Sequence, residues 1–324
     1  ISYQMSTGKK LDNGSEDATL YSREIFVDDR IRTYEGIQTQ IERTTAQNNV
    51  SDSTIGEMKK LFELVKTELI KANTDTTNDE GKKAIALNVD GIKQNLFDLA
   101  NTQVEGEYLF SGSDSSVKPF TEDSDGKVTY EGNNISRKIS VEDGSYRERG
   151  VNGYDIMTYP SSTALSGETL SFKDSDIIID QDGSIWKLND TNTEIEKYKD
   201  DGITIDSSSP VKEVTVTSDG YSVDVGTDDG TKFEARSNIF DLIDNLVNTL
   251  KKVDSNGNAI DDATRDALLG EDQGKFATSY DAINVAHSEL GSKNQMFEIS
   301  LERVTSKITQ YTILSQEIGA ADLS

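Results

Sequence analysis

From Ala18 to Ala72 the chain carries no proline, and apolar residues return every seven positions: Val27, Tyr34, Ile41, Ile55, Phe62 and Leu69, with Asn48 alone interrupting the row. A second row three residues on holds Ile37, Met58, Val65 and Ala72, with Thr44 and Ser51 in its middle. This spacing predicts a long helix with a heptad seam and a polar waist around Asn48. At about 1.5 Å per residue such a helix runs roughly 80 Å. The C-terminal part repeats the rhythm without interruption at Phe276, Ile283, Leu290, Phe297, Val304, Tyr311 and Ile318, beside a row of Tyr280, His287, Asn294, Leu301 and Ile308. Two shorter amphipathic helices are predicted. Glu80 to Asn101 carries Ile85, Val89, Ile92, Leu96 and Leu99, with Asn78 or Asp79 as its cap; Ser237 to Val253 carries Ile239 to Leu250, with Ser237 as its cap. A lone apolar stripe cannot be buried, so the four helices are expected to share an elongated antiparallel bundle or coiled-coil rod.

Between Gly112 and Arg236 the period shortens. Eight β-rich runs are predicted: Lys127–Tyr130, Ile135–Val141, Thr169–Phe172, Asp176–Ile179, Ser184–Leu188, Glu213–Thr217, Tyr221–Val225 and Thr231–Ala235. Asp-Gly pairs at 125–126, 143–144, 182–183, 201–202, 219–220 and 229–230 separate them, and Asp-Gly between β-rich runs is a strong hairpin signal. The expected fold class is therefore α+β and multidomain: a discontinuous helical rod of residues 1–112 and 237–324, with a β-rich domain of residues 113–236 inserted into it. The insert holds 26 acidic and 13 basic residues, so it is expected to face solvent.

Composition narrows the function. A net charge of -26 repels phosphates and argues against nucleic acid or an anionic membrane as partner. No run of apolar residues is long enough to span a bilayer, and no signal peptide is visible. The first residue is Ile1, as in a processed or trimmed form. With no cysteine there is no disulfide, thiolate zinc site or thiol nucleophile, and with His287 as the single histidine no multi-histidine metal site exists. Asp180–Ile185 looks superficially like a calcium loop, but Ile178 and Asn189 stand where the outer ligands belong, so a hairpin turn explains it better. Asp123–Gly126 fails in the same way, with Thr121 and Gly132 at its outer positions, and Asp254–Asn258 reads as a polar connector. His287 reads as a hydrogen-bonded seam residue rather than a base, Asn48 as a register-setting residue, and Trp186 with the neighbouring tyrosines as core rather than a sugar platform. No phosphate loop, dinucleotide fingerprint or nucleophile elbow is present. No catalytic, cofactor-binding or metal residue is expected, and the chain is not expected to be an enzyme.

Several stretches carry a resemblance. Gln4-Met5-Ser6-Thr7-Gly8-Lys9-Lys10 resembles the stretch before the first long helix of the flagellar hook–filament junction proteins, a branch of the flagellin superfamily. Leu11–Asp17 stands at that family's "P-S-D-D-P" turn, without its prolines. Leu99-Ala100-Asn101-Thr102, followed by Tyr108-Leu109-Phe110-Ser111-Gly112, is similar to the family's segment where helix gives way to strand, and Pro119-Phe120, Val128–Asn133, Ile139–Gly144 and Asn238–Ile243 also fit. Residues from about 160 to 231 have no counterpart and look like an enlarged insertion. The resemblance implies a structural adaptor of the bacterial flagellum joining the hook, through a proximal hook-associated junction protein, to flagellin. It also implies further helix beyond both ends of this chain, ring-like self-association of the full-length protein with the present chain monomeric, an export chaperone, type III export and an extracellular location. Alternatives are a flagellin-type filament subunit, or an adhesin acting through the β-rich insert. A domain with enzymatic activity grafted onto the insert is disfavoured by the single histidine and absent cysteine.

Overall fold

The computed structural model describes residues 18–74, 77–124, 126–199, 201–218, 220–255 and 257–319. The Gln4–Lys10 motif and the Leu11–Asp17 turn lie outside them, as do Asp125, Asp219 and Asn256 of the Asp-Gly and connector motifs. Five helices are described: α1 (Ala18–Ala72), α2 (Asp79–Ala100), α3 (Gly153–Met157), α4 (Ile239–Leu250) and α5 (Asp262–Gly319). Asn78 caps α2, its Oδ1 accepting from the Gly81 amide at 2.9 Å. The expected Ser237 cap of α4 is corrected to Asn238, whose Oδ1 accepts from the Phe240 amide at 2.9 Å. Ser237 is unavailable because its hydroxyl donates to Asp176 at 2.6 Å. Helix α5 begins a full heptad and more before Phe276, and Leu269, seven residues upstream, is fully buried.

Residues fall into two compact units. Of the described residues, the first comprises 18–49, 137–149 and 291–319. It holds the first part of α1, the last part of α5 and a hairpin of β5 (Arg137–Glu142) and β6 (Ser145–Arg149). Tyr34 stacks on Tyr311 with centroids 5.8 Å apart. Ile37, Ile41, Phe297 and Val304 pack around Ile139 and Val141 of the hairpin. Arg30 pairs with Asp143, Arg149 with Gln47, and Arg303 with Glu142 at 3.4 Å, so both helix segments grip the hairpin.

The second unit comprises residues 50–136 and 150–290. Its helical part is a four-helix core of α1 from Val50, α2, α4 and α5 up to Leu290, built on Ile55, Phe62, Leu96, Phe240, Leu246 and Phe276 among others. Phe240 ties it together, meeting Phe97 edge-on at 6.2 Å and Phe120 at 5.5 Å. Two small ladders, β1 (Gln103–Val104) with β2 (Glu107–Tyr108) and β3 (Phe120–Glu122) with β4 (Val128–Tyr130), follow α2. The remaining strands are β7 (Thr158–Leu165), β8 (Thr169–Phe172), β9 (Ile177–Asp180), β10 (Ile185–Leu188), β11 (Glu194–Lys197), β12 (Lys212–Thr217), β13 (Gly220–Asp224) and β14 (Lys232–Asn238). They form one antiparallel sheet in the order β7-β14-β9-β10-β11-β12-β13-β8. Its two end strands are consecutive in sequence, so the sheet curls nearly shut around Leu170, Ile178, Trp186, Ile195 and Phe233.

Strand β7 was not expected, because Pro160 interrupts it. Proline is tolerated on an end strand or at a bulge, and β7 is an end strand whose register with β14 shifts between Ala235 and Arg236. The hydrophilic runs Glu194–Lys197 and Ser145–Arg149 also form strands without a sequence-level expectation. In the first, Ile195 alone is buried and its neighbours are half-buried.

Candidate functional site

The candidate functional feature is the seam of α1 with α5, together with the node where α2 gives way to strands. In the first unit the seam runs through Tyr34, Ile41, Phe297, Val304 and Tyr311. Asn48 Nδ2 donates to Asn294 Oδ1 at 2.8 Å, and the Ser315 hydroxyl lies 3.3 Å from Asp28. In the second unit it runs through Ile55, Phe62, Leu69, Phe276, Ile283 and Leu290. There His287 Nε2 lies 2.9 Å from Asp52 Oδ1, and the Tyr280 hydroxyl donates to Glu63 at 2.7 Å. Within each unit the partner on α5 moves toward lower numbers as the residue on α1 moves toward higher ones, so the helices are antiparallel. The hydrogen bond to Glu63 raises the Tyr280 phenol above its ordinary range.

Val27 and Ile318 are buried as well, at 1% and 6% exposure, whereas Tyr311 is half-buried, covered mainly by its stack on Tyr34. Each buried Leu, Ile or Phe contributes about 1.5–3 kcal/mol, so the seam is a large share of what holds these helix segments together. Asn48 costs hydrophobic area but pairs only in one register with Asn294, which makes it a specificity device rather than a glue.

The node is built from Leu109, Phe110, Ser111 and Gly112. Phe110 and Ser111 are buried and Leu109 is half-buried against the same core. The Phe110 carbonyl accepts from the Gly153 amide at 2.6 Å and from the Tyr130 hydroxyl at 3.0 Å, while Tyr130 also reaches the Asn133 carbonyl at 2.9 Å. Burial pushes the Tyr130 phenol well above its ordinary range, so it acts as a permanent donor. The Asn133 amide donates to the Ser111 carbonyl at 3.1 Å, and its side chain receives the Ser113 and Ile135 amides at 3.0 and 3.1 Å. Gly112 has φ +84°, and a Cβ there would lie 2.2 Å from the Asn133 carbonyl oxygen. Phe110, Ser111 and Gly112 thus each have a physical reason: an aromatic anchor, two wired carbonyls and a glycine that nothing larger replaces.

The comparisons with known proteins fit this geometry. The bacterial flagellin N-terminal helical region matches residues 1–115. Flagellar hook-associated protein 3 of Escherichia coli (strain K12) is 26% identical over 188 residues, 57% of this chain and 58% of that protein. The matched stretch is thus less than two thirds of the length of the curated relative. The crystal structure of flagellar hook-associated protein 3 from Legionella pneumophila superposes with a TM-score of 0.61 at 15% identity, over 90% of this chain and 98% of that one. The flagellar junction protein FlgL from the same organism gives 0.55 at 16% identity, over 85% and 98%. At these identities the two structures establish the fold. The chain is similar to flagellar hook-associated protein 3, and its N-terminal part to the flagellin N-terminal helical region.

In this chain the loops that resembled metal sites are occupied by their own backbone. Asp180 receives the Asp182 and Ser184 amides at 3.0 and 2.9 Å on one oxygen, and Trp186 Nε1 and Lys197 Nζ at 2.9 and 3.3 Å on the other. Burial pushes this carboxyl up, but the indole, the amide and Lys197 outweigh it and hold it below the usual range. Asp123 receives the Lys127 amide at 2.9 Å, and both Asp254 oxygens are engaged by Asn258. Among the described residues no three acidic, histidine or cysteine side chains are placed to hold a metal ion.

Sequence reasoning missed the buried cationic clamps between helices. Lys93 donates to the Gly126 carbonyl and to Asp244, both at 2.8 Å, and Lys82 to Asp266 at 3.1 Å. Arg265 bridges Asp79, Asp262 and Asp266 at 2.7, 2.9 and 3.4 Å. Burial raises the Asp244 carboxyl despite Lys93, whereas Arg265 holds Asp79 below its ordinary range. The signal was present: Lys82 and Lys93 fall on the same helical stripe as Ile85, Val89 and Leu96.

Proposed function

We propose that this chain is a structural, non-enzymatic subunit of the extracellular bacterial flagellum that joins the hook to the flagellin filament. What carries the reading is the antiparallel α1–α5 seam in a chain whose relatives are named hook-associated protein 3. Seam residues Val27 to Leu69 and Phe276 to Ile318 serve as the packed framework. The Leu109–Gly112 node is the fixed exit from helix to strand. Residues 1–112 with 237–324 form the helical body, and residues 113–236 form the added β-rich part. Its partners are a proximal hook-associated protein on one side and flagellin on the other, with self-association of the full-length protein into a ring, and export assisted by a chaperone.

Immunogold labelling of flagella tests this. A narrow band at the distal end of the hook is the expected result; label along the whole filament would instead assign a filament subunit, the reading that the match to the flagellin N-terminal region favours. Cells lacking the full-length protein are expected to secrete flagellin without retaining filaments, and filaments of normal length in such cells would overturn the assignment.

A further inference from the structure

The second unit contains a cleft of about 520 Å³ between the strands and helix α4, with Lys275 of α5 at its rim. Its size is that of a small-molecule site. We infer that this cleft binds a neutral saccharide. Its polar groups divide into fixed acceptors and free donors. The Ser237 and Ser175 hydroxyls commit their protons to Asp176 and Asp241 at 2.6 and 2.8 Å. They therefore present only lone pairs to the cleft. Asp176 is itself 4% exposed and is further fixed by the Lys173 amide at 2.9 Å, so this acceptor array is rigid.

Asp241 and Asn245 stand one turn apart on α4 and thus on one face. Among the described residues, Asp241 Oδ1 and the Asn245 amide have no hydrogen-bond partner in the chain. A carboxylate oxygen and an amide side by side match adjacent hydroxyls of a ring, one accepting and one donating. From the sheet, the half-buried Tyr221 lines the cleft, backed by buried Phe172 with ring centroids 5.9 Å apart, an apolar surface for the C–H face of a pyranose. Lys173 and Lys275 add donors; Asp176 offsets the charge of the first, and Glu271 and Asp272, at 3.7 and 3.6 Å, that of the second. An anionic ligand is opposed by those carboxylates and by the net charge of -26. A ligand rich in both donors and acceptors, uncharged and with one apolar face, is a sugar.

Saturation-transfer difference NMR on the full chain, with glucose, galactose, N-acetylglucosamine and their disaccharides as probes, tests the inference. Transfer to at least one of them is expected, with affinity reduced about tenfold in Asn245→Ala, the consequence of one lost charge-free hydrogen bond in a shielded site. Lys275→Gln, at the rim, is expected to weaken binding in the same direction. Asn245 makes no protein hydrogen bond, so its replacement leaves the fold intact, which circular dichroism verifies. No transfer to any probe, or transfer undiminished in Asn245→Ala, overturns the inference. Either result leaves the hook-junction reading untouched, since that is read from the position of the protein on the flagellum.

Discussion

Replacing Gly112 by alanine tests the node directly. Two costs are expected. A non-glycine residue in the left-handed region costs about 1–2 kcal/mol. The new Cβ would also meet the Asn133 carbonyl at 2.2 Å, a backbone atom that cannot swing aside. Moving Asn133 disturbs its bonds to Ser111, Ser113 and Tyr130. Losing two of them costs about 1–3 kcal/mol more. The sum is about 2–5 kcal/mol. Gly106 supplies the control: its φ is +81°, yet nothing lies within 4 Å of its hypothetical Cβ. Gly106→Ala therefore reports the dihedral cost alone. Urea unfolding followed by far-UV circular dichroism and by Trp186 fluorescence measures both variants. Gly112→Ala is expected to be the less stable by at least about 1 kcal/mol. Equal destabilisation of the two would refute the claim that the Asn133 contact, rather than the turn itself, demands glycine.

Other expectations follow from the same packing. Lys93→Ala strands Asp244 without its cation and is expected to cost about 3 kcal/mol in urea unfolding, whereas Lys93→Met with Asp244→Leu recovers most of that loss. Asn48→Leu with Asn294→Leu is expected to raise stability by about 1 kcal/mol while permitting shifted helix pairing, seen as broadened or doubled NMR resonances for Tyr34 and Tyr311. Burial raises the carboxyls of Asp176, Asp241 and Asp272, and Asp272 Oδ2 is buried without a hydrogen-bond partner beside Lys275, Lys173 and Glu271. For a raised carboxyl the stabilisation is complete below the unfolded value and is lost as pH rises through the folded value. Stability should thus increase as pH falls through the folded values of these groups toward the ordinary carboxylate value. Asp272→Asn should be the more stable protein at pH about 7 by about 1 kcal/mol and flatten that slope, as read from urea midpoints at several pH values. Below the ordinary carboxylate range the trend reverses, because Asp201 and Asp206, held at about 2 by turn hydrogen bonds, lose their contribution as they protonate.

The helices were legible because heptad spacing survives any tertiary context: Phe276 to Ile318 point to one face whatever lies opposite. Their partners were not, since periodicity says which side is buried and not what buries it. Asn48 shows the difference, its place in the row being plain and its bond to Asn294 invisible. Within the sheet, strands carrying β-branched runs such as Ile177–Ile179 were readable. Glu194–Lys197 was hidden, because its neighbours in the sheet supply its stability and a single inward Ile195 supplies no pattern. The cleft escaped for the same reason: Ser175, Tyr221 and Asn245 come from three separate elements. The Leu109–Gly112 run was recognisable by resemblance, while its physical reason, the Asn133 carbonyl against Gly112, needed the geometry.

The antiparallel seam also dictates an order of assembly. Asp52 meets His287 across 235 residues and Asn48 meets Asn294 across 246. Closing such long loops is entropically late, while the hairpins of the sheet join residues only a few positions apart. The hairpins within the sheet can therefore form while α5 is still arriving, whereas the β7–β14 pairing, which joins Thr158 to Asn238, and the α1–α5 seam close later. The seam, rather than the hairpins, therefore sets the pace at which each unit closes.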